Sequence, residues 1–150
     1  MRASITPGAR HNQVELHPFF TRPALRADAQ ERGVIVQAWS PIGGVFALVD
    51  DATTPDGATS PLDHPIITGL ARTHGKSASQ IILRWHLQHG IAVIPKSVRP
   101  HRIIENRDVF DFELSSEEVA RIDALDTGVS AGPDPDTFTA DSFVVDIDGQ

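Results

Sequence analysis

The stretch Ile91-Ala92-Val93-Ile94-Pro95-Lys96-Ser97-Val98-Arg99-Pro100-His101-Arg102-Ile103-Ile104-Glu105-Asn106 decides how this chain is read. An apolar run stops at a proline, and a lysine, a serine and two arginines follow at once. A strand that ends in cations and then enters a helix suits a phosphorylated ligand. Helix N-termini leave backbone N–H groups unpaired, and the helix dipole favours an anion there. Arginine forks onto phosphate oxygens, and lysine adds a point charge. The spacing of Arg102, Glu105 and Asn106 puts them on one helix face. One of them could hold a phosphate while the others hydrogen-bond a base. On spacing alone the same residues also fit an ordinary solvated strand-to-helix loop.

Outward from that segment, strand and helix signals alternate. Val14-Glu15-Leu16 reads as a short strand ended by Pro18, because proline cannot donate to a ladder. Thr21 and Pro23 suit a helix start, and Gly33 suits its stop. Val34-Ile35-Val36-Gln37-Ala38-Trp39 has the β-branched, apolar character of a strand buried on both faces. Residues 41–63 are rich in Gly, Pro, Thr and Asp and read as a long loop. A helix is predicted over 64–73. The next opens on the capping-box pair Ser77 and Gln80 and runs to Gly90. Ser115 and Glu118 form a second capping box, with Val119, Ile122 and Leu125 on the buried side. The alternation predicts an α/β fold with a parallel sheet.

These motifs carry a family resemblance. IPKSVRPHRIIENRDVFDFELSSEEVARIDAL resembles the last strand and closing helices of the aldo/keto reductases, near the 2,5-diketo-D-gluconate reductase branch. NQVELHP and VQAWSPIGG are similar to that family's sixth and seventh strands, in the same order. The resemblance runs from about Asn12 to Thr127. It implies a partial (β/α)8 TIM barrel: the last three strands with their helices and the C-terminal tail. Residues 1–11 would then be an irregular lead-in, 12–126 the barrel portion, and 127–150 an acidic, partly disordered tail. Family members usually have two residues between the proline of TP and NQ. Four stand here, Gly8-Ala9-Arg10-His11, so an irregular entry into the first strand is expected.

The resemblance also assigns a site. Trp39 ends its strand, and ligands of parallel barrels meet the C-terminal ends of strands. By residue type alone Trp39 is more often a core residue than a ligand contact; the family places an aromatic here to stack on a nicotinamide, which reverses that reading. Gln13 matches the glutamine that bonds the nicotinamide carboxamide, where the bare sequence also allows a buried amide satisfied by backbone. Ser40, Pro41, Ile42 and Gly43 match the loop across the cofactor pyrophosphate. Lys96, Ser97, Val98 and Arg102 match the surroundings of the 2′-phosphate of the adenosine ribose, which implies NADPH rather than NADH. Glu105 and Asn106 match positions near the ribose and adenine. Arg99 is an additional candidate phosphate contact.

The reaction implied is hydride transfer to an aldehyde or ketone, sugar-derived ones included, with a tyrosine protonating the alkoxide. This chain has no tyrosine, and its lysines are Lys76 and Lys96 alone. No residue here takes the tyrosine's role by correspondence, so no catalytic residue is assigned. The expectation is a cofactor-binding portion that is inactive alone. The rival readings are a nucleotide-binding module without turnover and a half-barrel that needs a complementing chain.

Composition bounds the remainder. At 150 residues, 40% hydrophobic and 22% charged, the chain is globular and large enough for a core. A net charge of −7 argues against general nucleic-acid binding. No run approaches the roughly 18 apolar residues of a membrane span. The absence of cysteine excludes disulfides and agrees with a cytoplasmic address. His86 and His89 share a helix face at i, i+3, but no neighbouring cysteine or carboxylate in sequence completes a metal set. From Asp126 onward there are six aspartates and no lysine or arginine, the composition of a solvated tail. A small carbonyl substrate is expected only once the barrel is complete, and the unpaired strands are expected to promote self-association.

Overall fold

Pairing, more than local propensity, sets the extent of the strands. The computed structural model describes residue 8 and residues 10–44 and 60–132. In it, β1 (His11–Glu15), β2 (Ile35–Trp39) and β3 (Ala92–Val93) form a parallel sheet in the order β1-β2-β3. β1 begins three residues before its apolar run, because His11 and Asn12 pair with Ile35 and Val36. β3 is shorter than its apolar run: only Ala92 and Val93 find ladder partners, opposite Gln37 and Ala38.

Paired residues of adjacent strands project to the same face, so the register divides the sheet cleanly. Val14, Val36 and Ala38 face the helices and join the core with Ile67, Leu70, Ile81, Ile82, Trp85 and Ile122. Gln13, Glu15, Ile35, Gln37, Trp39 and Ala92 share the other face. There Ile35 is 58% exposed, and Ile94, two residues beyond Ala92, is 46% exposed. The expectation that residues 34–39 are buried on both faces is therefore corrected: helices cover one face only. The same strand was expected to be short of partners, and it is instead the central strand. The free edges belong to β1 and β3.

The helices are set by their ends. α1 (Pro23–Glu31) has Pro23 in its first turn, but its N-cap is Arg22, in the left-handed region at φ 48°, rather than Thr21. Thr21 instead gives its backbone N–H and its hydroxyl to Asp126, at 3.2 and 2.8 Å. Residues 41–63 are described only to Gly44 and from Ser60, where Pro61–Asp63 forms a single 3-10 turn. α2 (Pro65–His74) starts on the His64 ring, whose Nδ1 accepts from the Ile66 N–H, and stops at Gly75 (φ 63°). α3 (Ala78–Gln88) and α5 (Ser116–Asp123) carry the two expected capping boxes, each with both reciprocal hydrogen bonds. Between them lies α4 (Pro100–Arg107), which has no buried residue. The described residues contain no helix long and apolar enough to cross a membrane.

Candidate functional site

All three strands are parallel, so their C-terminal ends lie along one edge of the sheet. The assigned residues lie within β1 (Gln13), at the end of β2 (Trp39) and in the segments that follow β2 and β3. Gln13 stands exposed on β1, on the face away from the helices. Trp39 ends β2 on the same face, half-buried and paired in register with Glu15. The turn after it is tight. Ser40 has φ 52°, its carbonyl accepts the Gly43 N–H at 2.8 Å, and Gly43 has φ 77°. A glycine is needed there because φ near +77° strains any residue with a Cβ. Pro41 and Gly43 are buried, and Ile42 packs its side chain on the core.

The cationic segment follows β3 at the same edge. Lys96, Val98, Arg99 and Arg102 are exposed, and Ser97 is half-buried. The Ser97 hydroxyl accepts the Arg99 N–H at 3.1 Å and donates to the Arg99 carbonyl at 3.4 Å, which shapes the turn into α4. No acidic residue sits in the first turn of α4, so nothing on that helix neutralises its positive end. Among the described residues, none forms an ion pair with Lys96, Arg99 or Arg102. By contrast, Lys76 is shared between Asp108 (3.1 Å) and Asp111 (2.6 Å), and Arg84 meets Glu113 at 3.0 Å. Glu105 and Asn106 follow Arg102 on α4, both half-buried. Three uncompensated cations beside an uncapped helix start fit an anionic, phosphate-bearing group.

Sequence reasoning missed Glu15. Its side chain belongs to the same face as Trp39 and is buried, at 2% exposure. The carboxylate accepts from the Ser130 hydroxyl (2.5 Å), the Ala131 N–H (2.9 Å) and the Gly132 N–H (3.0 Å), and it contacts His17 Nε2 at 3.0 Å. Burial opposes its ionisation, but these hydrogen bonds, that of His17 foremost, outweigh burial and hold its pKa at about 2. Residues 127–132 are thus not a loose tail: Thr127 also gives its N–H and its hydroxyl to the Phe19 carbonyl. Residues 133–150 lie outside the described residues. Apart from His17, the partners of Glu15 are more than 110 residues away in sequence, so local sequence does not show what the carboxylate holds.

His86 and His89 are committed to structure. His86 is fully buried, with Nδ1 at 2.8 Å from the Ile82 carbonyl and Nε2 at 3.2 Å from that of Leu16. Burial lowers its pKa to about 4. His89 lies between Arg26 (2.7 Å) and Asp123 (2.8 Å). Asp123 is a carboxylate that sequence spacing did not bring near, and it also accepts the Trp85 indole N–H at 2.9 Å. No group of three or more metal-ligating side chains gathers among the described residues.

Comparison with known proteins places the chain in a family. The family model of the aldo/keto reductases matches residues 6–127. The chain is 51% identical over 133 residues to morphine 6-dehydrogenase of Pseudomonas putida, covering 88% of this chain and 44% of that protein. It is 41% identical to methylglyoxal reductase DkgA of Escherichia coli, covering 85% and 42%. Among solved structures, a Bombyx mori aldo-keto reductase in complex with NADP superposes with a TM-score of 0.74 at 37% identity, over 84% of this chain and 40% of that one. The chain therefore spans less than half the length of the relatives it matches. A shared motif order, a family model covering most of the chain and a matching fold together show that this protein belongs to the aldo/keto reductase family.

Proposed function

We propose that this chain supplies the NADPH-binding end of an aldo/keto reductase barrel, its last three strands with their helices, on the 2,5-diketo-D-gluconate reductase-like side of the family. One observation supports the reading: Gln13 and Trp39 are on the sheet face away from the helices, and the Ser40–Gly43 turn and the Lys96–Arg102 cations follow the C-terminal ends of β2 and β3. NADPH, when bound, supplies the hydride for a carbonyl carbon. Trp39 would stack on the nicotinamide ring and Gln13 would orient its carboxamide. The turn's backbone N–H groups would face the pyrophosphate. Lys96, Ser97 and Arg102, with the backbone at Val98, would surround the 2′-phosphate, and Glu105 and Asn106 the ribose and adenine. NADP-bound relatives of similar fold support the choice of cofactor.

The proton donor is a different matter. With no tyrosine in the chain, protonation of the alkoxide requires a residue from strands supplied elsewhere. General acid catalysis contributes typically 10²–10⁴-fold, so the chain by itself binds cofactor without turnover. Completed by those strands, it reduces small aldehydes or ketones, sugar-derived ones among them. The test is titration of the chain with NADPH and NADH, alongside Arg102→Ala. A charge-assisted contact contributes roughly 1.5–3 kcal/mol, so the substitution should weaken NADPH at least tenfold and leave NADH nearly unchanged. Equal loss for both cofactors removes Arg102 from the 2′-phosphate site.

A further inference from the structure

The cofactor reading explains Trp39 but gives Glu15 no task. A buried carboxylate that collects a hydroxyl, two consecutive backbone N–H groups and an imidazole is more elaborate than strand packing requires. Three of those four partners belong to one short segment, Ser130-Ala131-Gly132. That segment is tied to the body a second time upstream, through Asp126 with Thr21 and Thr127 with Phe19. Between the two ties the chain runs as a strap, ending beside the Trp39 ring. A Cβ built on Gly132 would stand 2.5 Å from Trp39 Cη2, 3.3 Å from Cζ2 and 2.8 Å from Glu15 Oε2. No side chain fits there without displacing the ring or the carboxylate. Gly132 has no positive φ, so what requires glycine here is the close approach alone.

We propose that Glu15 is a positioning residue: its carboxylate latches the strap at Ser130–Gly132 and so holds Gly132 against Trp39, setting where that ring lies. The functional meaning rests on the reading of Trp39 as the cofactor-stacking residue, but the latch itself does not. The contact is one-sided, with glycine backbone against the ring and the carboxylate gripping that backbone from the neighbouring strand. Release of the strap would therefore free the ring before it disturbs the core. Trp85, buried on the opposite face of the sheet and bonded to Asp123, serves as an internal control.

The full chain labelled with 5-fluorotryptophan gives two fluorine resonances, assigned through Trp39→Phe. Without cofactor, Glu15→Gln should shift or broaden the Trp39 resonance, leave that of Trp85 in place, and speed amide exchange across residues 130–132 at least tenfold. Gly132→Ala, which keeps the carboxylate, should move the same resonance by steric displacement. If both variants leave Trp39 unmoved, or if both move Trp39 and Trp85 together, the latch is overturned. Adding NADPH afterwards reads the cofactor assignment separately: a latch that behaves as described in a chain that ignores NADPH would refute the cofactor reading alone.

Discussion

Two buried titratable side chains make the chain acid-sensitive in separate windows. Glu15 has a folded pKa of about 2, below its ordinary value of 4.5. Its stabilisation is therefore complete above about pH 4.5 and is lost as pH falls through about 2. The amount at stake is on the order of 3 kcal/mol. His86, lowered from 6.5 to about 4, resists protonation in the fold, so its effect is a loss that begins as pH falls below about 6.5 and is complete near 4. Urea unfolding from pH 7 to 3 should show stability declining across both windows. In Glu15→Gln the decline below pH 4.5 should be shallower, and the gap between variant and parent should narrow toward pH 2. Parallel curves for the two proteins would refute the assignment. Glu15 and Gln13 lie two residues apart on one strand face, yet the sequence singles out only Gln13. Its motif identifies it, whereas the role of Glu15 depends on a segment more than 110 residues away.

At the level of elements, what was legible is what is encoded locally. The capping boxes of α3 and α5 form as their sequences dictate, because all four hydrogen bonds join residues three apart. Strand limits were less legible, because they depend on partners: β1 is lengthened and β3 shortened by what lies opposite. The start of α1 was misplaced for a similar reason, since a distant aspartate takes Thr21 away from the capping role. Ser115→Ala removes the side-chain acceptor for the Glu118 N–H and should cost about 1 kcal/mol, a fall in melting temperature of roughly 2–4 °C for a chain this size. A larger test lies in the core. Ile82 is fully buried on α3, and Ile82→Ala should cost about 2–5 kcal/mol. Calorimetry distinguishes the two, and equal effects would mean that the core packs less tightly than the burial of Ile82 indicates.

At the scale of the whole molecule, one face of the sheet is open and both edges are unpaired among the described residues. Ile35 and Ile94 on that face, and Ile103, Ile104 and Phe110 on and after α4, are exposed apolar side chains. Exposed edges recruit other strands, and each Å² of apolar surface buried contributes roughly 25 cal/mol. We expect concentration-dependent association in sedimentation at micromolar levels, and Ile35→Lys should reduce it. A monomer at all concentrations, binding no apolar dye, would refute this expectation.

We propose that this chain carries a wall for NADPH without the group that protonates the product. One sample tests both halves: purified chain with NADPH and a small aldehyde, followed by cofactor fluorescence for binding and by absorbance for cofactor oxidation. The account expects saturable binding of NADPH and no oxidation above background. Oxidation at a rate typical of enzymes, on the order of 1 s⁻¹ or more, or an absence of binding by folded chain, would contradict it.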